Sequence, residues 1–435
     1  MNIKEIIKRK RDGKILSSKE ITYFISNYSK GEIPDYQASV LLMAIFLRGL
    51  NFSETKALTQ AMINSGKQIT LSTLKLPKID KHSTGGVGDK ISLILAPLVS
   101  ACGVAIPMLS GRSLGHTGGT IDKLESIPNF RTDLTELEII KQLRKINLVI
   151  TSPTEEICPA DKKIYALRDA TETIESLPLI AASIMSKKVA EGIEGLVLDI
   201  KVGKGAFLKD IKTAKKLAKM MIKLGKNFKV ATIAFLTNMN EPLGRYVGNS
   251  LEIIETIEAL KGNIESDIKK ITFAFGEEML LLGKVVRTRE EGKRLLGEKL
   301  KNGEGLKKFR ELVVAQGGDI RIIDDYKKLP TAKYTTSLIG KENGYIKSID
   351  AYEISKLLLE LGGGRKKKDD TIDHSVGFHF LKKRGEKIEK GEPWVKIYYN
   401  NKVKGEWIKK ELEKAIEITK RPPRKIKLIY QRIRF

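Results

Sequence analysis

The chain has 435 residues, 41% hydrophobic and 30% charged, values of a soluble globular protein that exclude a disordered chain and a membrane bundle. Its length predicts two or three compact units rather than a single small core. Lysine and arginine (79) outnumber aspartate and glutamate (53) for a formal net charge of +26, but the basic residues are spread along the chain with no helix-turn-helix, zinc-finger or RRM-type signature, which argues against nucleic-acid binding as the main function.

The opening MNIKEIIKRKRDGK scatters charge where a secretory signal needs an apolar core, and Cys102 and Cys158 are the only cysteines. Both features lead us to expect a cytoplasmic, reducing setting with plain thiols. From Ser18 to about Gly66 apolar residues recur at helical spacing (Ile21, Phe24, Ile25; Val40, Leu41, Ala44, Ile45), and Ser53 with Lys56, Ala57 and Gln60 starts a further helix. From Ile79 the texture changes to short β-like runs that end in glycine-rich loops: 79–82, 106–109, 196–200 and 230–235. The uncharged stretch Ile91 to Leu109 is broken by Pro97, Gly103 and Pro107. It reads as a buried helix followed by a buried strand, not as a membrane span.

Leu167 to Gly192 returns to a helical pattern, so the chain is expected to revisit its first unit before resuming the sheet. After about Lys341 short alternating strands and glycines dominate. The expected fold is α/β: a helical lobe of residues 1–66 and 160–193, an α/β lobe of 67–159 and 194–335 with a mostly parallel central sheet, and a β-rich C-terminal module of 336–435.

Two loops carry the chemistry. Lys81-His82-Ser83-Thr84-Gly85-Gly86-Val87-Gly88-Asp89-Lys90 follows one expected strand and opens a helix. Its glycines let backbone N–H groups face an anion, and Lys81, Ser83 and Ser92 add donors; the alternative is a tight turn whose glycines serve packing. The second loop, Ser110-Gly111-Arg112-Ser113-Leu114-Gly115-His116-Thr117-Gly118-Gly119-Thr120, follows the next strand and offers hydroxyls at Ser110 and Thr120. Two such loops can meet on one phosphate at the C-terminal edge of a parallel sheet. Neither matches GxxxxGK[ST] or GxGxxG, which removes support for nucleotide triphosphates and dinucleotides.

The run SGRSLGHTGGTIDKLE resembles the signature of the thymidine and pyrimidine-nucleoside phosphorylases, and KHSTGGVGD resembles that family's phosphate loop. The likeness continues through ALRDATETIESLPLIAASIMSKK, VLDIKVGKGAF, NMNEPLGRYVGN and VGFHFLKKRGEKIEKGEP, over nearly the whole chain. Ser113 departs from the usual glycine. The resemblance implies reversible phosphorolysis of thymidine, deoxyuridine and uridine to free base and pentose 1-phosphate, with inorganic phosphate as co-substrate and no other cofactor. It also implies a homodimer contacting through the helical lobe. A thymidine-restricted enzyme, an anthranilate-type phosphoribosyltransferase and a nucleic-acid-binding protein are the alternatives.

Residue by residue, the resemblance assigns Lys81, Ser83, Ser92, Ser110 and Thr120 to phosphate and Arg168, Ser183 and Lys187 to the pyrimidine ring. It places His82 near the base carbonyl and sugar, and Tyr165, Leu114 and Phe207 along the nucleoside pocket. Elementary chemistry agrees: Ser183 and Lys187, four apart on a helix, share one face, and cationic donors there meet the charge that grows on the departing base. For Lys187 and Arg168 the other reading is a solvated helix charge; for His116 a loop-structuring hydrogen bond; for His374 and His379 a structural role. Four scattered histidines give no zinc pattern. Some relatives hold a monovalent cation, and the matching positions here are Gly88, Lys90, Leu243, Tyr246 and Glu255. With lysine at the hydroxyl position, Lys90 either pairs with Glu255 and replaces the ion or points to solvent.

Overall fold

The computed structural model describes residues 1–112, 118–154, 156–367 and 370–434. The chain opens with four helices, α1 (Ile3–Arg11), α2 (Ser18–Lys30), α3 (Asp35–Arg48) and α4 (Phe52–Asn64). Ser17 with Glu20, and Asn51 with Glu54, form capping boxes that fix the starts of α2 and α4. Glu54 is also buried against Lys10 Nζ at 2.8 Å and the Leu16 N–H at 2.9 Å, which ties the first helix onto the fourth.

The α/β lobe begins with β1 (Ile79–Ser83), α5 (Ile91–Ser100), β2 (Ile106–Leu109), α6 (Thr120–Leu124), α7 (Glu136–Ile146) and β3 (Leu148–Thr151). The uncharged stretch is therefore a helix and a strand, buried from Ile91 to Ser100 and from Ile106 to Leu109. The chain then returns to the helical lobe for α8 (Pro159–Ala170) and α9 (Leu177–Ala190), whose Ile164, Leu179 and Ala182 join Phe24, Ile45 and Leu58 in one apolar cluster. It re-enters the sheet with β4 (Gly195–Val202), α10 (Ile211–Asn227) and β5 (Ala231–Asn238), followed by β6 (Tyr246–Val247), α11 (Asn249–Leu260), α12 (Ser266–Leu282), α13 (Arg289–Lys301) and α14 (Glu304–Ala315).

β4 lies at the centre, parallel to β1 on one side and β5 on the other, with Lys81 opposite Val197 and Ser83 opposite Asp199. β2 and β3 pair in parallel, and a bridge between Lys78 and Ala105 joins them to β1. Every residue of β4 is buried, as a parallel strand covered on both faces requires. The strand ends that carry Ser83, Ser110 and Val202 thus lie along one edge of the sheet.

The C-terminal part holds β7 (Tyr334–Ile339), β8 (Gly344–Ile349), α15 (Ala351–Leu361), β9 (Gly377–Phe380), β10 (Lys387–Ile388), β11 (Pro393–Tyr399), α16 (Lys402–Lys414), β12 (Ile416–Thr419) and β13 (Ile429–Ile433). Its sheets run β6-β9-β11-β7 and β10-β8-β12. The boundary at 336 is not clean. β13 pairs antiparallel with β5 and belongs to the large sheet, while β6 of the α/β lobe pairs with β9. An uncovered edge on β5 would leave its backbone groups unpaired, and β13 covers it. Arg432 holds that strand down on buried Glu278 at 2.5 Å.

Candidate active site

β1 delivers Lys81, His82 and Ser83 to the sheet edge, and the chain turns back into α5 through Gly85 (φ 92°) and Gly88 (φ 68°). A Cβ at Gly88 would lie 2.4 Å from the Leu243 carbonyl oxygen, so that turn requires glycine on both counts. Lys81 is buried and its Nζ donates to Ser92 Oγ at 3.2 Å. Burial lowers its pKa against the pull of Asp89 and Asp199. The Ser83 hydroxyl donates to Asp89 Oδ2 at 2.7 Å. Desolvation opposes ionisation of Asp89, but Lys201, Lys81 and Lys123 overcome it and hold the carboxyl far below its usual range. Lys201 pairs with Asp199 at 2.7 Å and Lys123 with Glu252 at 2.8 Å.

The second loop closes on the first: the Gly118 N–H donates to the Gly86 carbonyl at 3.4 Å, and Lys123 Nζ to the Asp89 carbonyl at 2.8 Å. Ser110 follows β2 with its N–H on Thr151 O at 2.9 Å, and Thr120 begins α6. The five phosphate candidates are thereby brought to neighbouring ends of β1, β2, α5 and α6. Leu114, His116 and the unusual Ser113 lie outside the described residues.

On the helical side, α8 presents Asp161, Tyr165 and Arg168 at spacings of four and three, one face of a helix. Arg168 is buried, held by the carbonyls of Thr173 (Nε, 3.2 Å) and Ile174 (Nη2, 2.6 Å), and lies 5.9 Å from the centre of the Tyr165 ring. Burial pulls its pKa down to about 10, so it remains a cation at neutral pH. From α9, Lys187 Nζ donates to Ser183 Oγ at 3.0 Å and to the Asp161 carboxylate. The solvated-charge reading of Arg168 and Lys187 does not hold, because Arg168 is buried and held through Nε and Nη2, and Lys187 is held by Ser183 and Asp161. Sequence reasoning misses Asp161, although its place four residues before Tyr165 on the same face is an available signal. It misses Asp199 and Lys201 likewise; they alternate along β4 on the face shared with Lys81.

His82 stands where the two groups meet. Burial, with Lys188, Lys187 and Lys81 nearby, pushes its pKa well below the ordinary imidazole value, so the ring is neutral and holds one N–H. Phe207 lies in the loop after β4, closed by the Gly203 N–H on Leu208 O at 3.0 Å.

Lys90 does not point to solvent. It is fully buried, and Nζ donates to the carbonyls of Leu243 (3.0 Å) and Tyr246 (2.8 Å) and to the Glu255 carboxylate. Glu255 in turn accepts from the Arg245 N–H at 2.6 Å and the Tyr246 N–H at 3.0 Å. An alkali cation at this position would need the same oxygens, so the residues present do not fit one beside the ammonium. Both cysteines are buried free thiols, and no helix of the described residues is long and apolar enough to cross a membrane.

Three family descriptions match the chain in succession: a glycosyl transferase family helical bundle domain over residues 4–66, a glycosyl transferase family a/b domain over 75–306, and a pyrimidine nucleoside phosphorylase C-terminal domain over 345–419. The chain is 45% identical to the pyrimidine-nucleoside phosphorylase of Geobacillus stearothermophilus over 433 residues, covering 100% of both proteins. It is 47% identical to that of Bacillus subtilis (strain 168) over 400 residues, covering 92% of each. Among solved structures, an anthranilate phosphoribosyltransferase from Thermus thermophilus aligns with a TM-score of 0.57 at 17% identity, over 72% of this chain and 99% of that one, a likeness of fold alone.

Proposed function

The chain belongs to the pyrimidine-nucleoside phosphorylase family and is a pentosyltransferase, and on that premise we propose that it cleaves uridine, thymidine and deoxyuridine with inorganic phosphate. The observation that carries this reading is a pair of hydrogen-bonded groups, Lys81 with Ser92 on the sheet side and Lys187 with Ser183 on α9, both within electrostatic reach of neutral His82.

Phosphate, held by Lys81, Ser83, Ser92, Ser110 and Thr120, attacks C1′ of the pentose from the face opposite the base. The bond from C1′ to phosphate oxygen forms as the bond to pyrimidine N1 breaks, and the base leaves with that electron pair. The charge spreads over O2, N3 and O4, where Arg168 and Lys187 stabilise it more in the transition state than in the bound nucleoside. The remaining N–H of neutral His82 serves as a hydrogen-bond donor to the base carbonyl. Tyr165 and Phe207 line the nucleoside pocket. Initial rates with saturating phosphate test the assignment: uridine and thymidine are turned over, and cytidine is not, because its exocyclic amine puts a donor where Arg168, Ser183 and Lys187 present donors. Efficient cytidine turnover, or base transfer onto phosphoribosyl pyrophosphate in place of phosphorolysis, would sink it.

Lys90 takes the place of a monovalent cation in this reading, supplying the same single charge to the oxygens of Leu243, Tyr246 and Glu255. Activity is then expected to be the same in potassium as in a bulky organic cation, with a potassium requirement emerging in Lys90→Thr. Strong potassium activation of the unmodified enzyme would overturn it. A homodimer is supported by α3, which leaves Tyr36, Val40, Met43 and Leu47 exposed on one face; sedimentation as a single chain would remove that support. The buried free thiols suit a cytoplasmic setting.

A further inference from the structure

Lys188 follows Lys187 on α9 but reaches across to the other lobe. Its Nζ donates to Asp80 Oδ2 at 2.6 Å, to Glu191 Oε1 at 2.6 Å and to the Leu109 carbonyl at 2.8 Å. The side chains of Lys188, Asp80 and Glu191 are 2%, 0% and 0% exposed. Glu191 Oε1 also accepts from the Leu109 N–H at 3.3 Å. Three members of this cluster are bonded in sequence to substrate ligands of the reading above, on which the inference rests: Asp80 precedes Lys81, Leu109 precedes Ser110, and Lys188 follows Lys187.

We propose that Lys188 is a positioning residue: its buried ammonium holds the base-binding helix in register with the two strands that end in the phosphate loops. Adjacent residues lie about 3.8 Å apart along a rigid peptide, so whatever moves Lys188 against Asp80 and Leu109 moves the base donors against the phosphate. The bond-making step depends on that relative placement, and about 1 Å of error can cost a hundredfold.

A buried ion group is weak evidence for a stabilising role, because its replacement as a whole by apolar residues of the same volume is often neutral. Burial, against the pull of Lys188, raises the Glu191 pKa well above the carboxylate range, and the carboxyl of Asp80 beside it raises it further. That shift favours the protonated carboxyl, the form that can donate to Asp80 and would leave one ammonium against one carboxylate.

The test compares full-length Lys188→Met, Asp80→Asn and Glu191→Gln with the parent. It measures kcat for uridine phosphorolysis and, by calorimetry, the separate affinities for inorganic phosphate and for uracil. Lys188→Met and Asp80→Asn are expected to lower kcat at least about tenfold while each affinity stays within about threefold of the parent, since each half-site is intact and only their register is lost. Glu191→Gln is expected to stay within about threefold in kcat, because an amide keeps an oxygen that accepts from Lys188 and the Leu109 N–H and adds an N–H that can donate to Asp80. A folded Lys188→Met with parental kcat overturns the proposal. So does an equal loss of phosphate and uracil binding, the mark of a merely structural residue, or a Glu191→Gln defect as deep as that of Lys188→Met. If Lys188→Met does not fold, Asp80→Asn decides by the same criteria. A parent that binds neither phosphate nor uracil removes the underlying site reading instead, and so is told apart.

Discussion

Lys187→Ala and Arg168→Ala are each expected to lower kcat by at least about a hundredfold with little change in phosphate affinity, the usual scale for losing a donor aimed at developing charge. Both side chains are already oriented before substrate arrives. Arg168 is clamped by the carbonyls of Thr173 and Ile174, and Lys187 sits between Ser183 and Asp161. Fixed donors of this kind need no reorganisation as the base departs, so their loss falls on the chemical step. Lys187→Ala should be the worse of the two, because it leaves the buried carboxylate of Asp161 unpaired beside an anionic leaving group. Replacing Asp161 by Asn in the Lys187→Ala background is then expected to restore part of the rate. Turnover within about tenfold of the parent in either single variant would count against the base site as drawn.

Ser83→Ala and Thr120→Ala are expected to act on the other substrate, raising the KM for phosphate about tenfold or more while kcat at saturating phosphate stays near the parent's. A hydrogen bond to a charged group is worth about 1.5–3 kcal/mol, which sets that scale. Ser83 carries a second consequence. Its hydroxyl donates to Asp89 in the absence of ligand, so phosphate must draw it away from a carboxylate held ionised by Lys201, Lys81 and Lys123. Rates measured over a phosphate series with saturating uridine separate the two classes of variant. If Ser83→Ala and Lys187→Ala gave the same defect, in kcat or in KM, the division into phosphate and base groups would be lost.

Much of the candidate site is legible in the sequence because its candidate ligands lie in short runs with strong local signals. Glycines at 85, 86 and 88 after a β-like run announce a turn that few other residues could make, and Ser183 with Lys187 announces a helical face. The four strands that end in glycine-rich loops are legible for the same reason. β3 is not: it is four residues long, and no glycine-rich loop marks its end. β13 reads like any basic tail, and only the open edge of β5 gives it a place in the large sheet.

By itself the sequence determined the helical and α/β lobes, the two glycine-rich loops and the candidate donors that each loop carries, since backbone preference and side-chain chemistry act over a few residues. It left two fates open for Lys90, and tertiary structure chose between them. Leu243, Tyr246 and Glu255 lie 153, 156 and 165 residues away along the chain, and their oxygens make a buried ammonium acceptable where a solvated lysine was equally compatible with the local sequence. The same holds for Asp161 against Lys187 and for Lys188 against Asp80. A buried charge is tolerated only where folding supplies its partner, and the partner's position is a property of the packed lobes rather than of any stretch of chain.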